Sequence, residues 1–125
     1  MRISMIALPF VLALAQAIST PVQAQSAESG KAVFRQTCGI CHDAAPDRNR
    51  VGPSLFGVVG RKTGSVPGFH YSDANRNSHL LWDPATLDRY LENPRGIMPG
   101  TLMAFSGLKD AQKRQDVIAY LETLH

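Results

Sequence analysis

Cys38, Cys41 and His42, in the run CGICH, place two thiols and an imidazole within five residues, and the chain has no other cysteine. Such a pair could close a disulfide, cycle as a dithiol, ligate zinc or add to the vinyl groups of a porphyrin. A disulfide is the default for cysteines outside the cytoplasm. A thioredoxin-like pair belongs beside a βαβ pattern, and no strand signal rises here. Zinc would want further ligands, and His70, His79 and His125 lack metal-like spacing. Covalent haem attachment fits best. Three apart on a helical turn, both cysteines face one way, and His42 lies one turn on from Cys38 with its imidazole available to iron. Cys-x-x-Cys-His is the signature of c-type haem.

The second face of such an iron decides function. Left open it would serve ligand binding or peroxide chemistry; closed by methionine, it has a raised potential and suits electron transfer. Beyond residue 24 the methionines are Met98 and Met103, both in the irregular stretch NPRGIMPGTLMAF. A helical methionine is usually core filler, but a Pro/Gly-rich segment can lay a thioether against iron.

The elements that must position these groups read as helices. SAESGKAVFRQTC suits a helix capped by Ser26. Ser72 or Asp73 can cap a short helix to Asn77. Asp83-Pro84 pairs an N-cap with proline at the first helical position, and that helix runs to Asn93 before Pro94. Asp110 to Leu124 carries Val117, Tyr120, Leu121 and Leu124 at helical spacing, a stripe that must pack on something. From Asp43 to Gly68, proline and glycine break every pattern, and so long a loop in a small domain is usually functional or wraps something. The expected fold is all-α, about four helices with loops around a haem that replaces missing core.

The opening MRISMIALPFVLALAQAISTPVQAQS has Arg2, a short apolar run and Val22-Gln23-Ala24 as small-residue cleavage positions. The run is short for a membrane span. Residues 1–24 are expected to be a signal peptide, with a retained anchor the alternative, and 25–125 to form one domain in the periplasm. The whole chain has a formal charge of +3, and losing Arg2 with the signal leaves +2. A nucleic-acid binder would show a basic stripe, and none is present.

From Gly30 to Leu121 the chain resembles class I cytochromes c of the mitochondrial and bacterial cytochrome c2 type. GKAVFRQTCGICH, VGPSLFGVVGRKTGSVPGFHYSDAN, LDRYLENP, MPGTLMAF and DVIAYL carry the likeness. The resemblance implies one covalent haem c with His42 proximal and Met103, not Met98, distal. It implies that the Pro53 carbonyl orients His42, and that Arg61, Tyr71 and Trp82 meet the haem propionates. Asn75, Tyr90 and Thr101 would form a polar network beside the methionine, and Gly30 and Phe34 would pack on Val117 and Tyr120.

It further implies a monomeric one-electron carrier, not an enzyme, serving partners such as a bc1-type complex, a terminal oxidase or a periplasmic oxidoreductase. A haem enzyme with a labile distal site, and a subunit of a larger oxidoreductase, are the competing readings. Leu102 and Gly96 stand where mitochondrial relatives usually carry lysine, and Asp110 breaks a basic run, so the docking ring is thinned. Arg35, Arg95 and Lys109 would remain as a sparse basic rim, with Leu102 and Phe105 as an apolar centre.

Overall fold

The computed structural model describes residues 24–125. The expected signal peptide therefore lies, but for Ala24, outside the described residues. Five α-helices follow: α1 (Ala27–Val33), α2 (Asp73–Asn77), α3 (Pro84–Glu92), α4 (Pro94–Ile97) and α5 (Ala111–Glu122). Among the described residues the only β pairing is one isolated bridge between Lys62 and Leu81. The all-α expectation holds.

Each helix start has a side chain that takes an otherwise unpaired amide. Ser26 accepts from Ser29 N, Ser72 from Asn75 N, Asp83 from Thr86 N, Asn93 from Gly96 N and Asp110 from Lys113 N. The first helix does not run unchanged to Cys38, as its spacing had suggested. At Phe34 it widens into a π-turn through Cys38, closed by Gly39 N donating to Phe34 O at 2.7 Å. Such wide turns gather at functional sites, and this one delivers Cys38.

A second departure is α4. Pro94 was expected only to end α3, yet Asn93-Pro94 repeats the cap-then-proline signal of Asp83-Pro84 and starts another turn. Asn93 serves both, ending α3 and capping α4.

The core lies where α1 crosses α5. Val117 is fully buried and Phe34, Val33, Ile118 and Leu121 join it. Phe34 and Tyr120 stack at 5.4 Å with a tilt of 60°. Gly30 makes the crossing possible: a Cβ there would sit 1.8 Å from the Asp116 carbonyl oxygen and 2.9 Å from Tyr120 Cβ. The terminal-helix packing implied by the resemblance is therefore present. The same core continues through Trp82, Leu87, Tyr90 and Met98, and Cys38 and Met103 pack against it.

Two charged side chains are buried in α5, Arg114 and Asp116. Asp116 accepts from the Ser26 backbone N at 2.7 Å and from Gln112 Nε2 at 3.0 Å. Arg114 Nε donates to Asp88 at 2.8 Å, while its Nη1 reaches the Leu108 and Lys109 carbonyls, each at 3.0 Å. That fork ties the end of the methionine loop to α3 and α5. Gly107 lies in the same tie, at φ 110° and so close to Glu92 that a Cβ would fall 2.3 Å from its carbonyl oxygen.

Candidate functional site

The π-turn ends at Cys38, and the next residues fold back on it. Cys41 N and His42 N both donate to Cys38 O, at 3.1 and 2.9 Å. Cys38 and Cys41 are both free thiols, each partly buried. Burial pushes the Cys38 thiol up to about 11, so it is protonated at neutral pH and a weak nucleophile until something removes the proton.

His42 is fixed by the strand of loop that crosses it. Its Nδ1 lies 2.7 Å from the Pro53 carbonyl oxygen. A carbonyl only accepts, so Nδ1 carries the proton and Nε2 is left with a free lone pair. Burial lowers the affinity of the ring for a second proton; the Pro53 carbonyl works against this, and Arg61 and Arg50 add to the lowering. The imidazole is thus neutral and directional, as a metal ligand must be. Gly52 forms the back of this cradle, since a Cβ there would lie 2.3 Å from the ring.

Met103 lies in the loop after α4, half-buried, with its backbone N donating to Thr101 Oγ1 at 3.3 Å. The Tyr90 hydroxyl points at its sulfur from 3.9 Å. Burial raises the Tyr90 phenol, against the pull of a hydrogen bond with Thr101, so it stays a neutral donor. Met98 differs sharply. At 2% exposed, it is a core side chain at the end of α4.

Trp82 and Tyr90 are buried with their rings 4.7 Å apart. The Trp82 backbone N donates to Arg61 O at 2.9 Å. Arg61 spends its guanidinium on the Phe56 and Ser54 carbonyls, at 2.9 and 3.0 Å. Tyr71 is buried, stacked edge-on against Phe69, and its hydroxyl accepts from Val66 N at 3.1 Å. Asn75 sits in α2 with its Oδ1 buried and without a hydrogen-bond partner. A lone buried carbonyl is rare enough to call for an explanation, and a bound group or water beside it supplies one.

Several participants gave no sequence signal. Ser54 is buried at 3% exposed, its hydroxyl donating to Ala45 O and accepting from Phe56 N. Asn49 accepts from Ser54 N and donates to Pro67 O, closing the long loop on itself. Arg50 lies across the CGICH turn, donating to the Gly39 and Ile40 carbonyls. Serine, asparagine and arginine in a polar loop read as solvated, and only the close packing of that loop makes them structural. Ile40 and Val51 are apolar yet exposed, at 67% and 79%.

The donor set fits a c-type haem: two free thiols on one turn, an imidazole with its outer nitrogen free, a half-buried thioether and an orphaned amide oxygen. Residues 25–121 match the family model described as "Cytochrome C oxidase, cbb3-type, subunit III". The chain is 53% identical over 95 residues to cytochrome c2 of Rhodopila globiformis, covering 76% of this chain and 90% of that protein. It is 58% identical over 97 residues to cytochrome c2 of Rhodomicrobium vannielii, covering 77% of each. The solved structure of cytochrome cH from Methylobacterium extorquens superposes with a TM-score of 0.74 at 43% identity, over 78% of this chain and 98% of that one.

Proposed function

Since the chain belongs to the class I cytochromes c, and so carries a covalent c-type haem and works as a haem electron carrier, we propose that it is a free, monomeric, periplasmic carrier with His/Met ligation. In this reading Cys38 and Cys41 form the thioethers, His42 is the proximal ligand and Met103 the distal one. Residues 1–24 are the export signal and 25–125 the working domain. In this reading the chain would not be an enzyme, because His42 and Met103 would together occupy both ligand positions of the iron.

The observation that carries the reading is the His42–Pro53 bond of 2.7 Å. It fixes the tautomer and the direction of Nε2, which is what a permanent proximal ligand requires and a surface histidine does not. The haem supplies a one-electron couple. The chain's own residues set its value and limit reorganisation. Met103 brings a weak donor that favours the reduced state, and Tyr90 and Thr101 hold it in place. Arg61, Tyr71 and Trp82 would meet the propionates, and Asn75, with its unpartnered Oδ1, would extend the network from α2. Partners are membrane or periplasmic redox proteins such as a bc1-type complex, a terminal oxidase or a periplasmic oxidoreductase. Among the described residues no helix is long and apolar enough to cross a membrane.

One observation favours a second reading, the bound subunit: the matching family model is described as an oxidase subunit. Against it, the named relatives are cytochromes c2, and the chain spans most of their length.

The test is redox titration with visible spectroscopy on protein released from the periplasm. A free carrier gives one reversible one-electron wave at positive potential and, when ferric, the weak red absorbance of a methionine–iron bond. Recovery of the protein only in membranes, within a complex, would favour the subunit. Absence of the red band in the ferric protein at neutral pH would end the carrier reading.

A further inference from the structure

Arg50 is tied to the attachment turn, whereas its neighbour Arg48 reaches Asp43 at 4.0 Å. Arg50 Nη1 donates to Gly39 O at 2.9 Å and its Nη2 to Ile40 O at 3.4 Å. These are the two carbonyls between the cysteines. The backbone closes the same contact from the other side. Arg50 N donates to Gly52 O, and Gly52 N donates to Cys41 O, each at 2.9 Å. One residue further on, the Pro53 carbonyl accepts from His42. Residues 50–53 thus form a strap bonded in sequence to positions 39, 40, 41 and 42.

Charge strengthens the point. Among the described residues neither Arg50 nor Arg61 has a carboxylate partner; both give their guanidinium donors to backbone carbonyls. Arg50 therefore leaves its positive charge uncompensated beside the attachment turn. Such a charge disfavours the oxidised, more positive iron. Arg50 is exposed, so its share is screened and falls with salt.

We propose that Arg50 is a positioning residue for the proximal ligand: its guanidinium fork holds the Cys38–Cys41 turn against the strap that orients His42, and its uncompensated charge biases the couple towards the reduced state. The fork and the charge are separable, because lysine keeps the charge but cannot span two carbonyls in fixed geometry. This rests on the haem reading above, and wild-type protein is therefore examined first.

The experiment uses haem-loaded wild type, Arg50→Ala and Arg50→Lys. Haem-stained denaturing gels and the red ferric band, measured on wild type, stand or fall with the haem reading. Amide hydrogen exchange at His42 and Gly52 in the reduced protein, and midpoint potentials at low and high salt, address Arg50. In Arg50→Ala both amides should exchange about tenfold faster, the size of one charge-assisted hydrogen bond, and the potential should fall, most at low salt. In Arg50→Lys the exchange should quicken but the potential should hold. If wild type stains and shows the band while Arg50→Ala keeps wild-type exchange at both amides, or keeps the wild-type potential at low salt, the proposal is overturned.

Discussion

The Tyr90 hydroxyl stands 3.9 Å from the Met103 sulfur, so a buried phenol and a half-buried thioether share one corner of the core. Met98, only five residues earlier in the chain, lies in the interior with 2% of its surface exposed. Two methionines in one loop thus occupy two different environments.

Their substitutions should separate cleanly. Met103→Ala should lower the midpoint potential by on the order of 100 mV, since the axial ligand dominates tuning, and abolish the red ferric band. It should also open the iron to peroxide. Met98→Ala should keep the band and potential but cost about 2–5 kcal/mol, the cavity cost of a buried methionine. Visible spectra and thermal unfolding on both variants decide it, and the opposite pattern would reverse the assignment.

Arg114 should matter to the methionine loop although it lies in α5. Its Nη1 holds the Leu108 and Lys109 carbonyls at 3.0 Å, and its Nε meets Asp88 at 2.8 Å. Arg114→Ala strips donors from two carbonyls at the loop's exit and should cost about 3 kcal/mol. In a temperature ramp the red band should fade before global unfolding, which near-ultraviolet dichroism would follow. Simultaneous loss of both signals would mean that the clamp stabilises the whole fold and not the loop.

The α3 cap should impose a pH dependence of known sign. Hydrogen bonds from Thr86 hold the Asp83 carboxyl below its ordinary value of 3.8. A folded value depressed in this way contributes stability that is present above the unfolded value and lost as pH falls through the folded one. Asp83→Ala should therefore unfold at a lower temperature than the parent at pH 7, with the gap closing below 3.8. Asp83→Asn, which caps without charge, should keep most of the stability at every pH. Calorimetry between neutral pH and pH about 2 tests this; an unchanging gap for Asp83→Ala would refute it.

Electron exchange with an acidic partner should depend only weakly on salt. The stretch Asn93–Leu108 contains no lysine, and its one cation is Arg95. Lys109 donates its ammonium to the Glu92 carbonyl, so one of the three basic rim residues is partly committed within the fold. Leu102 is 77% exposed, whereas Phe105 is half-buried and offers less apolar surface than its type suggests. Second-order rates should fall gently up to about 0.1 M salt, where the screening length is near 10 Å. Leu102→Lys should steepen that fall. A steep slope in wild type would mean a concentrated charge patch.

How much of this could be read from sequence differs by kind of residue. The pentapeptide, the Ser26 and Asp83 caps and the Val117–Leu121 stripe are local patterns, and each appears where its pattern put it. Asn93-Pro94 carried the same information as Asp83-Pro84, but a proline after a helix reads as a stop, and its second use was missed. Arg50, Arg114 and Asp116 were invisible for a different reason. Their roles depend on backbone carbonyls and amides brought close by long-range folding, and a charged residue in isolation reads as solvated.

The first and last helices are bound to each other more than to anything between them. Gly30 is pressed against Asp116, and the Ser26 backbone donates to the Asp116 side chain. Gly57, midway along, donates to the Leu124 carbonyl. Chain ends are ordinarily where fraying and exopeptidase attack begin. Here neither helix can peel away without exposing Val117, so the two must open together. Opening either one therefore has the cost of a sub-global event and not of local fraying.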